Sequence, residues 1–107
     1  MTYGGFGGGN MQQLMKQAQA MQRKLQEAQQ ELADSEVTGS AAGGMVEVTL
    51  TGDKTPVSVS IKPEAVDPDD VEMLEDMVLA ALNDAMKQAD DLSKELLGPM
   101  GNAGGLF

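Results

Sequence analysis

The chain of 107 residues contains no cysteine and no histidine. It therefore forms no disulfides, and it has no imidazole base, no thiolate nucleophile and no ordinary zinc site. We predict that it is not an enzyme and that it uses no cofactor, metal or small-molecule substrate. Carboxylates, lysines and hydroxyls remain as catalytic groups, so a carboxylate-based hydrolase stays as a minor alternative. A lack of cysteine is also typical of a cytoplasmic protein.

Aromatic residues make up 3% of the chain and consist of Tyr3, Phe6 and Phe107, all near the ends. The core must therefore be built from Leu, Val, Ile, Ala and Met, which bury less area per residue than aromatic rings do. Small domains already bury a limited fraction of their surface. We expect a homodimer to supply the missing core.

Long hydrophobic runs are also absent. No segment approaches the roughly 20 apolar residues that a membrane-spanning helix needs. The N-terminus shows no basic segment followed by an apolar one, so no signal peptide is predicted. We expect no membrane contact.

Positive charge is scarce, with 7 basic against 17 acidic residues and a formal net charge of −10. Residues 1–33 carry Lys16, Arg23 and Lys24 against Glu27 and Glu31, for a net charge of +1, whereas residues 34–107 carry −11. The total disfavours bulk attraction to nucleic acid. The predicted first helix is the one part of the chain that is not strongly anionic.

That first helix, predicted from Asn10 to Ala33, is the strongest pattern present. Its apolar residues alternate steps of three and four, which is the spacing of one helix lying along another. They are Met11, Leu14, Ala18, Met21, Leu25, Ala28 and Leu32. The helix would be roughly 36 Å long, whereas a compact domain of this size has a radius of gyration of about 13 Å. It should project, or pack on a second copy.

Three strands and a second helix follow. Strands are predicted at residues 36–42, 45–51 and 57–62, with turns at Gly43-Gly44 and at residues 52–56. Alternation predicts a three-stranded antiparallel sheet covered on one side. The second helix should begin with Asp67 as N-cap and end at Gly98-Pro99. The fold class is α+β in the order α-β-β-β-α. It forms one domain over residues 10–97, between flexible glycine-rich tails at residues 1–9 and 98–107.

Acidic residues cluster between residues 64 and 76, which raises the alternative of a metal site. The spacing of a calcium loop is missing, and Pro68 interrupts the run. Helix capping and a solvated acidic face are therefore the preferred interpretation.

The basic residues Lys16, Arg23 and Lys24 lie seven and eight residues apart, off the apolar seam. They are either ordinary helix surface or phosphate contacts. A dimer carries these residues twice and would therefore contact about six phosphates. The logarithm of the DNA-binding constant should then fall with the logarithm of the salt concentration with a slope near −5 at most. Gln12 and Gln19 can add hydrogen bonds to phosphates or base edges. We predict a DNA-binding site of Lys16, Arg23, Lys24, Gln12 and Gln19.

The apolar stripes and one strand face also predict a dimer interface. Its residues are Met11, Leu14, Ala18, Met21, Leu25, Val46, Val48, Leu74, Val78 and Leu82.

Three segments, taken in order, resemble the YbaB/EbfC nucleoid-associated proteins of bacteria. The first comprises residues 4–11, 14–19 and 21–22, the second residues 37–39, 43–44 and 46–49, and the third residues 74–76 and 81–85. The resemblance implies an intertwined homodimer with projecting helices that binds double-stranded DNA in the nucleoid and organises the chromosome or influences gene expression. It also implies that Lys16, Arg23 and Lys24 match the family's basic helical residues. The acidic composition leaves one alternative, a dimeric adaptor that binds other proteins and has little affinity for DNA.

Overall fold

The computed structural model describes residues 3–105, with side chains described for residues 10–98. The elements are α1 (Tyr3–Asp34), β1 (Glu36–Ala41), β2 (Val46–Thr51), β3 (Pro56–Ile61) and α2 (Val71–Gly105). Short 3₁₀ turns lie at Ala42–Gly44 and Pro63–Ala65. The predicted order α-β-β-β-α is confirmed.

The helix ends differ from their predicted positions. Helix α1 begins at Tyr3, so Asn10 lies inside it rather than at its cap, because extending an existing helix costs less than nucleating one. Helix α2 begins at Val71, where the Asp70 carboxylate accepts a hydrogen bond from the Met73 N–H at 3.1 Å. The predicted Asp67 cap is wrong, because the Asp67 carboxylate instead accepts the Asp69 N–H within the preceding turn.

The predicted stop at Gly98-Pro99 marks an interruption rather than an end. Gly98 has a φ of 48° and breaks the regular geometry of α2, which continues to Gly105. The ends of both predicted tails, residues 1–2 and 106–107, lie outside the described residues. The flexibility of the tails stays a prediction.

The three strands form one antiparallel sheet in the order β1-β2-β3. Strand β2 is central and pairs Val48 with Gly39 on β1 and with Val59 on β3. A register shift at Thr49 and Leu50 marks a bulge in the β2–β3 pair. The β1–β2 connection runs through Ala42, Gly43 and Gly44, all with positive φ, which confirms the predicted turn.

The β2–β3 turn is held by a carboxylate. Asp53 accepts hydrogen bonds from the hydroxyls of Thr51 and Thr55, and these bonds, first that of Thr51, lower the pKa of Asp53 below its ordinary value. Lys54 in the same turn forms an ion pair with Asp90 of α2. The turn therefore ties the start of β3 to the second helix.

Helix α2 lies across β1 and β2 and forms the core with them. Its face toward the sheet is made of alanines, and Ala81, Ala85 and Ala89 are fully buried. Val46, Val48 and Leu50 of β2 pack against Ala81, Ala85 and the nearby apolar side chains of α2. The small side chains let the helix approach the sheet closely. Gly39 on β1 lies so near Ala81 and Ala85 that a Cβ atom there would collide with the helix backbone.

Within the described side chains, helix α1 is buried against the rest of the chain near its C-terminal end. Ala28 and Leu32 are buried, and α1 contacts α2 and β2 there. The molecule measures 84 × 23 × 16 Å with a radius of gyration of 21.9 Å, well above the roughly 13 Å expected of a compact chain of this length. The prediction of a projecting first helix is confirmed.

Candidate nucleic-acid interface

The projecting part of α1 over residues 10–24 is called the arm from here on. Every residue of the arm is exposed. It carries Lys16, Arg23 and Lys24 and no acidic residue. Strong helix formers such as Gln, Leu, Met, Lys and Ala dominate its sequence, so it can remain helical without packing on the rest of the chain. The arm therefore presents positive charge away from the acidic remainder of the molecule.

Four of the five predicted DNA-binding residues share one face of the arm. At 3.6 residues per turn, Lys16 and Arg23 lie almost in line and about 10 Å apart along the axis. Gln12 and Gln19 each precede one of these cations by four residues, one helical turn earlier. This face points away from the apolar seam. We call these four residues the basic face.

Lys24 is separate from the basic face. It lies about 100° around the helix from Arg23 and lines an open cavity of about 670 Å³ together with Glu27, Glu31 and Asp34. Glu27 lies one helical turn from both Arg23 and Lys24, so it lowers the positive potential at both, whereas Lys16 has no acidic residue within one turn of the helix. Within the described side chains, none of Lys16, Arg23 and Lys24 forms a salt bridge.

The predicted interface residues fall into three groups. On the arm, Met11, Leu14 and Met21 leave 59% or 60% of their surface exposed, and Ala18 is exposed as well. Leu25 of α1, together with Leu74, Val78 and Leu82 of α2, is half-buried. Val46 and Val48 are buried in the chain's own core because α2 covers that part of the sheet, so they offer a second copy almost no surface. The interface itself stays a prediction.

Strand β3 is uncovered, a feature that sequence reasoning missed. Its side chains Val57, Val59 and Ile61 are 48%, 58% and 38% exposed. Beside them an apolar groove of about 410 Å³ lies between β3 and α2, lined in part by Leu50, Val78 and Leu82. The alternation of Val and Ser predicts an apolar face on β3, but it does not show that α2 stops short of it.

The acidic run contributes to a turn and a helix cap. Among the side chains of residues 10–98, no three His, Cys, Asp or Glu residues are grouped so that they could hold an ion. Asp67 and Asp70 serve the turn and the cap described above. In the same described part, no helix is both long and apolar enough to span a bilayer.

An elongated α+β chain with a charged, exposed helix belongs to the class of proteins that bind through open surfaces. Comparison of the sequence with known protein families narrows this class to one family. The pattern of the YbaB/EbfC DNA-binding family matches residues 7–105, and the chain belongs to this family.

Relatives support the same assignment. A nucleoid-associated protein of Agathobacter rectalis is 52% identical over 109 residues, covering 97% of this chain and 96% of its own. A nucleoid-associated protein of Staphylococcus aureus is 60% identical over 92 residues, covering 86% and 88% of the two chains. The crystal structure of the uncharacterized protein HP0035 from Helicobacter pylori aligns with a TM-score of 0.71 and 26% identity, over 83% of this chain and 94% of that one.

Proposed function

We propose that this protein binds double-stranded DNA as a homodimer in the nucleoid, where it organises the chromosome or influences gene expression, and that it has no enzymatic activity. The observation that carries the proposal is the arm, which is fully exposed, basic and free of acids on a chain of net charge −10. The family and the names of the relatives support DNA as the partner.

The basic face supplies the contacts. Lys16 and Arg23 bind backbone phosphates, and Gln12 and Gln19 hydrogen-bond phosphates or base edges beside them. Lys24 adds a contact from the flank of the arm. No aromatic side chain lies on the arm, so stacking on the bases of single strands is disfavoured and a duplex is the better ligand.

A dimer presents the arm twice. The exposed seam of Met11, Leu14 and Met21 and the uncovered β3 strand leave large apolar side chains in water, and exposed apolar patches mark interaction surfaces. Association of two copies would remove part of that surface from water. It would also place two basic faces on one particle.

A pair of triple variants tests the DNA site. Replacing Lys16, Arg23 and Lys24 with alanine should weaken duplex binding at least about tenfold at low salt, because up to six phosphate contacts per dimer are lost. Fluorescence anisotropy with a labelled duplex measures the change.

The matched control replaces Lys62, Lys87 and Lys94 with alanine. These lysines are exposed and lie outside the arm, so the control changes the net charge by the same amount. It should bind DNA nearly as well as the unmodified protein. Equal losses in both variants would mean that net charge, and not the arm, governs binding. Absence of DNA binding at low salt, together with a stable complex with another protein, would support the adaptor alternative, which the acidic surface outside the arm favours.

A further inference from the structure

The C-terminal end of α1 lies directly against the β2–β3 turn. The Gly52 N–H donates a hydrogen bond to the Ser35 carbonyl at 3.0 Å. Ser35 also closes the helix, because its N–H donates to the Leu32 carbonyl at 3.2 Å and its hydroxyl donates to the Glu31 carbonyl at 2.6 Å. Leu32 and Gly52 are both buried. We call Leu32, Ser35 and Gly52 the α1–turn contact.

The position of Gly52 requires glycine because of this contact. Its φ is not positive, so the turn does not demand a left-handed conformation there. A Cβ atom on Gly52 would lie 2.7 Å from the Leu32 carbonyl oxygen and 3.1 Å from the Leu32 Cα. Both are backbone atoms of α1, so no side-chain rotation can relieve the collision. Either the end of the helix or the turn would have to move.

The turn is the more firmly held of these two partners. The Thr51 N–H donates to the Thr55 carbonyl at 2.8 Å, and the Asp53 carboxylate accepts the hydroxyls of both threonines. The ion pair between Lys54 and Asp90 joins the turn to α2. An atom added to the turn would therefore displace α1 rather than the turn.

A small displacement at this end of α1 becomes large on the arm. Helix α1 is one continuous helix from Tyr3 to Asp34, and Lys16 lies about 24 Å along its axis from Leu32. Because α1 also contacts α2 near its C-terminal end, pushing on Leu32 would tilt the helix about that second contact. A tilt of about 10° moves the backbone at Lys16 by about 4 Å, which exceeds the length of a hydrogen bond.

We propose that Gly52 is a positioning residue for DNA binding. Because it lets Leu32 contact the backbone of the turn, it fixes the direction in which the arm leaves the sheet, and with it the positions of Lys16 and Arg23. The inference rests on the proposed binding of DNA by the basic face. In the proposed homodimer the contact occurs twice and also sets the distance between the two basic faces.

Gly52→Ala tests this role in DNA binding. The variant should bind a labelled duplex about tenfold more weakly in fluorescence anisotropy, because a tilted arm no longer holds Lys16 and Arg23 against the same phosphates. The matched control is Gly39→Ala, which adds the same methyl group to another buried glycine, but against α2 instead of α1. At a temperature where circular dichroism shows both variants folded, the control should bind within about twofold of the unmodified protein.

A distance measurement separates positioning from a general loss of stability. The chain contains no cysteine, so nitroxide labels can be attached through Gln13→Cys on the arm and either Lys62→Cys or Asn83→Cys outside it, all at exposed positions. Double electron–electron resonance after dilution with unlabelled protein measures each pair within one chain. Gly52→Ala should shift at least one of the two distances by about 3 Å or more. A variant that is merely less stable keeps the distances of the folded protein.

Leu32→Ala tests the same contact from the side of the helix. Leu32 does not belong to the core formed by β2 and α2, so this variant should fold even if Gly52→Ala does not. Alanine also preserves the helix. Without the Leu32 side chain the arm is held less firmly, so the measured distances should spread over a wider range and duplex binding should weaken about tenfold.

The possible failures are distinguishable. If the unmodified protein binds the duplex and neither variant changes the distances or the affinity, the positioning role is wrong while the proposed DNA binding stands. A shifted distance with unchanged affinity, or an equal loss of affinity in Gly39→Ala, also contradicts the positioning role. If the unmodified protein does not bind the duplex at low salt, the proposed function fails and the positioning role fails with it.

Discussion

Gly39 is the residue at which one added carbon atom has the largest expected effect. It lies on β1 against the backbone of Ala81 and Ala85 on α2. A side chain there would force the helix away from the sheet, and both elements belong to the same core. The need for glycine comes from this close approach rather than from a turn.

We therefore predict that Gly39→Ala lowers the free energy of unfolding by about 3 kcal/mol, at the upper end of overpacking costs. Ser40→Ala, at the exposed neighbouring position, should change it by less than about 0.5 kcal/mol. Urea denaturation followed by circular dichroism compares the two. A Gly39→Ala protein as stable as the Ser40→Ala control would show that the helix can shift without cost.

The predicted cations also differ at the residue scale. Lys16 and Arg23 were grouped with Lys24 by their spacing in the sequence, but Lys24 shares its cavity with Glu27, Glu31 and Asp34. Spacing along a helix predicts which residues share a face. It does not show which carboxylates lie beside a given cation, because that depends on how the end of α1 packs.

At the scale of elements, α2 both packs on the sheet and occupies the outer edge of β1, and its sequence does not show which residues do which. Its alanine face packs on the sheet, and its Asp84 and Gln88 side chains occupy the outer edge of β1. In the sequence both residues look like ordinary surface positions of an acidic helix. Their role depends on where β1 lies beneath the helix.

Opening this edge should change the assembly. The double substitution Asp84→Ala with Gln88→Ala leaves the outer groups of Thr38 and Ser40 without protein partners, so β1 becomes available for pairing. We expect the mean particle mass to exceed that of the unmodified protein and to increase with concentration in light scattering.

The matched control is Asn83→Ala with Lys87→Ala, two exposed positions of α2 with the same spacing. It should leave the particle mass unchanged. If the Asp84 and Gln88 variant behaves like this control, the two side chains do not protect the edge.

At the scale of the whole molecule, the elongated shape separates the basic arm from the acidic sheet and α2. The net charge of −10 would repel DNA if it were spread evenly. The arm instead projects from the sheet domain, so its cations can reach phosphates while the acidic surface stays at a distance. Screening by salt further reduces repulsion beyond about 10 Å at 0.1 M.

The salt dependence of DNA binding should show whether one arm or both arms of a dimer contact DNA. Each lost phosphate contact lowers the magnitude of the log–log salt slope by about 0.9. Arg23→Ala should therefore reduce it by about 2 if both arms of a dimer touch DNA. Binding titrations at four or more salt concentrations measure the slope. A reduction of about 1 would mean that a single arm binds.

Much of the fold follows from local patterns. The spacing of apolar residues on α1, the alternation on β2 and β3 and the glycines before β2 predict the element order and the sheet, and all of these are confirmed. The helix starts are wrong by seven residues at Asn10 and by three at Asp67. Near the start of each helix several residues could act as the N-cap, and tertiary contacts determine which one does.

The sequence by itself determined the order of the elements, the basic character of the first helix and the excess of apolar stripes, because these depend on periodicity and composition. The tertiary structure alone decided which strand stays uncovered, which edge of the sheet Asp84 and Gln88 occupy, and which carboxylates line a cavity with Lys24. These features arise from contacts between residues far apart in the chain. Periodicity describes each element separately and carries no information about how two elements meet.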